Sequence, residues 1–291
     1  QNKTMIIGEN RKAVIENIKR YAESEQFHNK VEVNDPNLTA EQSRKITDNY
    51  IENRNRVLYK FKKCLGVCFA KAATSLINKD TEIIGLDKIP NDLGGVLITS
   101  NHFSPLENTV IRHLTNKLGR KDLGIISQTS NFAMKGLVGY LMNYADTIPI
   151  STEPRYLARD FLSLLKERLV DKKHAILLYP EQEMWFNYRK PRPPKDGAYF
   201  FASKLNVPIV SCFVEMVDLT EDDTPEFKKV KYILHVLDVL YPDPQKSVRE
   251  NTEFLSHTDY TLKKNCYESV YGKELTYTFE NSDIAGWKGV L

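Results

Sequence analysis

From Lys79 to Leu240 short runs of strand-forming residues alternate with stretches of helical periodicity, and that alternation leaves few architectures open. The strand-like runs are Thr81 to Leu86, Gly95 to Ser100, Leu123 to Ser127, Ala175 to Tyr179 and Val207 to Val214. A last one, Val230 to Leu240, alternates only in part, as a strand near a sheet edge does. Among the intervening helices the clearest is Arg155 to Val170, where Leu157, Phe161, Leu164, Leu165 and Leu169 form one apolar stripe. The order predicts an α/β fold: a mixed, largely parallel central sheet flanked by helices.

An N-terminal helical region precedes that sheet. Residues 9 to 25 read as a helix, and Val33 to Leu38, with Asn34, Asp35 and Pro36, as a loop. From Ala40 to Leu76 one long helix is expected, interrupted by no Pro and by only one Gly, Gly66. It sets Arg54, Arg56, Lys60, Lys62, Lys63 and Lys71 among apolar positions, a pattern that suits an anionic membrane surface as well as packing on its own domain. The expected division is a helical region at 1–79, membrane-associating or packed on its own domain, and an α/β domain at 80–291 that ends in a helix from Val248 to about Val270.

Composition narrows the function classes. Charged residues make up 27% of the 291, and the longest apolar runs are far too short to span a bilayer, so membrane contact is expected to be peripheral. A net charge of +3 does not point to nucleic acid. Cys64, Cys68, Cys212 and Cys266 lack the spacing of a disulfide framework or a zinc site, which points to a reducing, cytoplasmic setting; Cys64 and Cys68, on one helix face, are expected in the core. The scattered histidines give no metal-binding pattern, and no Gly-rich nucleotide loop is present. The chain begins with Gln1, so a preceding segment is expected and the lack of a targeting signal carries no information.

One constellation carries chemistry. His102 follows the strand Gly95 to Ser100, at the carboxyl edge where open α/β sheets bind ligands. On a continuous helix His102 and Glu107 would point about 140° apart. Ser104 and Pro105 suit an N-cap and first helical position, so a turn can bring the Glu107 carboxylate back to one imidazole nitrogen. The other nitrogen is then free to take a proton from an attacking hydroxyl. The same Ser104-Pro105-Leu106-Glu107 stretch also fits a capping box, in which Glu107 is structural.

Asn101, His102 and Glu107, then Phe132, Gly136, Gly139 and the turn Ile148-Pro149-Ile150, then Tyr179-Pro180-Glu181, and finally Lys195-Asp196-Gly197-Ala198 with Val207-Pro208-Ile209-Val210 stand in one order. In that order they resemble the four blocks of the glycerolipid acyltransferase family, the 1-acyl-glycerol-3-phosphate acyltransferases and their lysophospholipid relatives, over roughly residues 81 to 240. The chain departs from the pattern in having Glu107 for Asp, and Thr152 and Met184 where the family has arginines.

The resemblance implies an O-acyltransferase that moves a fatty acyl group to a hydroxyl of a lysolipid, glycolipid or other membrane lipid, at the inner face of a membrane and in phospholipid biosynthesis. It implies His102 as general base, Glu107 as its partner, acyl-CoA or acyl-carrier protein as donor, and no bound cofactor or metal. Asn101, Ser104, Pro180 and Glu181 are expected at the substrate, with backbone amides near Ser104 to Leu106 or Pro180 and Glu181 meeting the oxyanion. The missing arginines leave Arg189, Lys190, Arg192 and Lys195, stiffened by Pro191, Pro193 and Pro194, to meet an acceptor phosphate. Trp185, Phe186 and Tyr188 are expected to pack, or else to wall an acyl channel. A silent lipid-binding module and a thioester or ester hydrolase built on the same dyad are the alternatives.

Overall fold

A computed structural model describes residues 10–33, 36–120 and 122–289, so the expected helix start at residue 9 and the loop residues Asn34 and Asp35 lie outside it. The strands are β1 (Glu82–Ile84), β2 (Val96–Thr99), β3 (Leu123–Gln128), β4 (Thr147–Ile150), β5 (Ala175–Leu178), β6 (Ile209–Asp222) and β7 (Lys228–Leu240). They form one seven-stranded sheet in the order β1-β7-β6-β2-β5-β3-β4. From β6 through β2, β5 and β3 to β4 every pairing is parallel. Only β7 turns back, antiparallel to β6, and carries β1 parallel to itself.

β2 and β5 are buried along their whole length because helices cover both faces of the sheet. One face packs on the helical stretch 156–171, α8 (Gly197–Leu205) and α9 (Val248–Tyr271), the other on α4 (Asn108–Lys117). The stretch 156–171 is a short α-helix, α7 (Leu162–Lys166), between two π-helical turns. Ile148-Pro149-Ile150, expected as a turn, belongs to β4; a proline is tolerated there because β4 is the edge strand.

The expected helix from Ala40 to Leu76 is two helices, α2 (Ala40–Asn53) and α3 (Val57–Ile77). No Gly or Pro marks the break. Tertiary docking accompanies it: Arg54 pairs with Glu167, and Tyr50 meets Tyr59 edge-on at 6.2 Å. α1 (Arg11–Glu23) packs elsewhere, sharing a core with Trp185, Tyr188, Phe227 and Ile284.

α3 lies against α6 (Gly136–Tyr144), which follows the single turn α5 (Thr129–Phe132), and a Cβ at Gly66 would stand 2.7 Å from the Tyr144 carbonyl oxygen, so only glycine permits the approach. Lys63 pairs with Asp146 at 2.7 Å. The opposite face of α3 is open: Leu58, Phe61, Leu65, Phe69 and Leu76 are exposed. Cys64 and Cys68 are exposed on the same helix, which corrects the expectation that they are core residues. No helix among the described residues is long and apolar enough to cross a membrane.

Two carboxylates fasten these helices. The hydrogen bond from Arg54 holds Glu167 down at about 2. Burial opposes ionisation of Asp146, yet Arg168 and Lys63 outweigh it and hold the group below its usual range. Groups lowered in the folded state stabilise fully above their ordinary pKa and lose that contribution as pH falls through the folded value. The melting temperature should therefore drop as pH falls from about 4.5 toward about 2, and circular dichroism of Glu167→Gln should show a shallower drop.

Candidate functional site

The carboxyl ends of the parallel strands β2, β5, β3 and β4 lie along one edge of the sheet, and His102 leaves that edge three residues after β2. Glu107 is 2% exposed, and its carboxylate is divided between two tasks. One oxygen, Oε1, bonds His102 Nδ1; the other, Oε2, accepts the amides of Phe103 and Ser104. The dyad and the cap, weighed as alternatives from the sequence, coexist on one side chain. α4 begins at Asn108, after a turn from Ser104 to Glu107 in which the Ser104 hydroxyl accepts the Leu106 amide.

The His102 imidazole stacks on Tyr179, centroids 4.2 Å apart and planes 6° from parallel. Burial, with the Glu107 carboxylate nearby, pushes the Tyr179 phenol well above its usual range, so it stays neutral. A carboxylate on Nδ1 fixes the proton there and leaves Nε2 as an acceptor. Among the described residues Nε2 makes no protein hydrogen bond, and the side chain keeps 20% of its surface open.

The backbone of His102 is also held. Its N–H donates to Glu181 Oε2 at 3.1 Å, and its carbonyl accepts the Trp185 amide at 3.0 Å. Behind β2, Thr99 donates to Asp259 on α9 at 3.0 Å, and Lys263 reaches both Asp259 and Thr99. Tyr199 closes this buried network with a bond to Asp259 at 2.5 Å.

Several residues expected at the substrate are committed elsewhere. Asn101 is buried, and its amide exchanges two hydrogen bonds with the Val214 backbone, tying the end of β2 to β6. Pro180 is buried, with its carbonyl accepting the Lys195 amide. Glu181, 5% exposed, spends its carboxylate on the His102 amide and on Arg192. The amides of Ser104 and Leu106 have protein acceptors and are not free to meet an oxyanion, whereas among the described residues the Glu181 amide makes no hydrogen bond to protein.

The expected phosphate cradle does not assemble. Arg192 pairs with Glu181, Lys190 with Asp283 at 2.7 Å, and Arg189 with Asp218 and the Ser282 carbonyl. Glu181 and Asp283 are buried carboxylates, and such groups need their charge matched internally. Of the four cations only Lys195 is exposed. Trp185 and Tyr188 are core residues, as the packing alternative had it.

Four residues at the site have no role assigned by the sequence. Tyr179 enters the sequence reading only as the end of a strand and the start of the Tyr179-Pro180-Glu181 block. Asp259 and Lys263 lie on a helix more than 150 residues from Thr99. His28, from the turn after α1, sits against the Glu181 backbone, and burial, then the Lys195 charge, lower its pKa and keep it neutral.

Residues 80–215 match the family model described as Acyltransferase. No curated protein sequence matches the chain significantly. Among solved structures it is similar to one titled the crystal structure of the 1-acyl-sn-glycerophosphate (LPA) acyltransferase, PlsC, from Thermotoga maritima. The two share 17% identity with a TM-score of 0.49, over 81% of this chain and 95% of that one.

If Glu107 serves ring and turn together, Glu107→Ala should cost about 1–3 kcal/mol in urea unfolding, more than loss of an ordinary cap, because it strands two amides. Nitrogen NMR of the His102 ring should show the Nδ1–H tautomer in the native protein and a mixture in Glu107→Gln. A ring already mixed in the native protein would contradict the assignment.

Proposed function

We propose that this chain, whose residues 80–215 match the acyltransferase family model, transfers a fatty acyl group from a thioester to a lipid hydroxyl, with His102 as general base and Glu107 orienting it. The reading rests on one observation: Glu107 occupies Nδ1 of His102 while Nε2 stays open at the carboxyl edge of the sheet. The acceptor hydroxyl gives its proton to Nε2 as its oxygen attacks the thioester carbonyl. The imidazolium that forms is stabilised by the Glu107 carboxylate. Collapse of the tetrahedral intermediate breaks the carbon–sulfur bond, and the thiolate leaves with the proton held on His102. No serine nucleophile is needed, since the acceptor supplies the attacking oxygen.

Acyl-CoA or acyl-carrier protein is the donor in this reading, and a lysolipid or glycolipid the acceptor. With Arg189, Lys190 and Arg192 engaged internally, a phosphate on the acceptor would meet Lys195 in preference to those three.

The exposed apolar face of α3 supports peripheral contact with an anionic membrane surface, with Arg56 and Lys60 exposed beside it. Its far end leads toward the site. Asn78, which caps α3, donates to Thr109 at 2.9 Å in the first turn of the helix that follows Glu107.

Incubation with labelled acyl-CoA or acyl-carrier protein and a panel of lysolipids and glycolipids, with products resolved by mass, tests the reaction. His102→Ala should lower transfer by about 10²–10⁴-fold with an unchanged circular dichroism spectrum. Retained turnover removes His102 from the chemistry, and donor hydrolysis independent of acceptor identifies a hydrolase instead. Replacing Phe61 and Leu65 with serine should abolish co-sedimentation with anionic vesicles while leaving transfer to a micellar acceptor intact; undiminished sedimentation would exclude α3 as the contact.

A further inference from the structure

Arg192 is 2% exposed, and its hydrogen bonds join Glu181, Glu183, Phe27 and the backbone of His102. Its Nη2 donates to Glu181 Oε2 at 2.8 Å, to the His102 carbonyl at 3.4 Å and to the Glu183 carbonyl. Its own amide donates to the other oxygen of Glu181 at 3.0 Å. Glu181 in turn accepts the His102 amide. The Glu181–Arg192 pair thus grips His102 on both sides, one partner at its N–H and the other at its C=O.

The pair is anchored to a part of the chain outside the family-matched segment. Arg192 Nη1 donates to the Phe27 carbonyl at 2.8 Å, and the Trp185 indole donates to the Asn29 carbonyl at 3.0 Å. The guanidinium lies over the Trp185 ring at 4.5 Å, and Trp185 donates its backbone amide to the same His102 carbonyl. Pro191 and Pro193 flank Arg192 and fix the approach of the loop. A planar guanidinium serves four acceptors at once, which a lysine ammonium on a flexible stem does not reproduce.

We propose that Arg192 is a positioning residue: with Glu181 it clamps the backbone of His102 and ties it to the turn at Phe27 to Asn29, making the N-terminal segment part of the frame that aims the imidazole. The proposal rests on His102 being the base. The clamp holds the ring over Tyr179 with Nε2 outward, and its removal displaces the base without touching the acceptor. A misplacement of about 1 Å in a reacting group costs on the order of 10²-fold in rate.

The test compares native protein with Arg192→Lys, Arg192→Gln, Glu181→Gln and the double variant Glu181→Gln/Arg192→Gln, on lysophosphatidic acid and on the matching monoacylglycerol. Arg192→Lys should lower kcat by about 10²-fold on both acceptors, with KM within about twofold, and the double variant should be no worse than the worse single one. A rise in KM confined to the phosphorylated acceptor would make Arg192 a substrate contact and overturn the proposal, as would full kcat in Arg192→Lys.

A second readout needs no turnover. The His102 ring signals in NMR, assigned by their loss in His102→Ala, should shift and broaden in Arg192→Lys, and unchanged signals refute the clamp. Should the arginine variants fail to fold, Trp185→Phe keeps the packed ring and removes only the indole bond to Asn29; it should still move those signals and lower kcat, and no change in either defeats the proposal. Activity that survives in His102→Ala would sink the catalytic reading alone, leaving the ring signals to decide the clamp.

Discussion

A single buried carboxylate, that of Glu107, sets the geometry on which the site depends. It lies almost out of reach of water, and such a group is tolerated only with its lone pairs occupied. Two backbone amides take one oxygen and an imidazole nitrogen takes the other, so the same requirement that folds the turn also chooses the tautomer. Glutamate in place of aspartate adds one methylene. The side chain spends that reach on returning from the last residue of the turn to its start, which is possible because α4 begins only at Asn108.

Buried charge explains the disposition of the basic run from Arg189 to Arg192 as well. Seen as a sequence it is three cations beside prolines, with Lys195 to follow, and a solvated anion-binding loop is the natural expectation. The chain also buries Glu181 and Asp283, and each burial requires a cation close by. Satisfying them consumes Lys190 and Arg192 and draws the loop inward. A pair of this kind adds little net stability compared with apolar packing, but losing one partner leaves the other uncompensated, which makes its geometry specific.

The fold was legible where hydrophobic period decided it. The strands at Val96, Leu123, Ala175 and Ile209, α9 and the helical stretch after Arg155 all lie where the pattern put them. β4 was missed because a proline at position 149 reads as a turn unless the strand is known to be an edge. The break between α2 and α3 was missed because Arg54 to Arg56 have ordinary helix propensity, and contacts with Tyr59 and Glu167 accompany it. At the site the proximity of His102 and Glu107 was readable, since a turn acts over five residues. Tyr179 beneath the ring, Asp259 behind β2 and the turn at Phe27 were not, because each meets the site only through contacts between residues far apart in the chain.

The two halves of the N-terminal region are attached to the sheet by different physics, and the difference bears on what each can do. α1 shares an apolar core with Trp185, Tyr188 and Ile284, so residues around it are as fixed as the body itself. α2 and α3 combine packing of Tyr50, Ile51 and Tyr59 on the main core with polar ties, Arg54 to Glu167 and Lys63 to Asp146, and with the close approach at Gly66. An amphipathic helix normally turns its apolar face to the core; α3 turns much of that face outward and grips the protein through the Tyr59 hydroxyl, Lys63 and a backbone carbonyl that accepts the Tyr140 hydroxyl. Inverting the usual polarity leaves apolar area in water, a cost offset only if something apolar covers it. A helix of 21 residues offers about 31 Å of such surface, the scale on which an amphipathic helix lies along a bilayer.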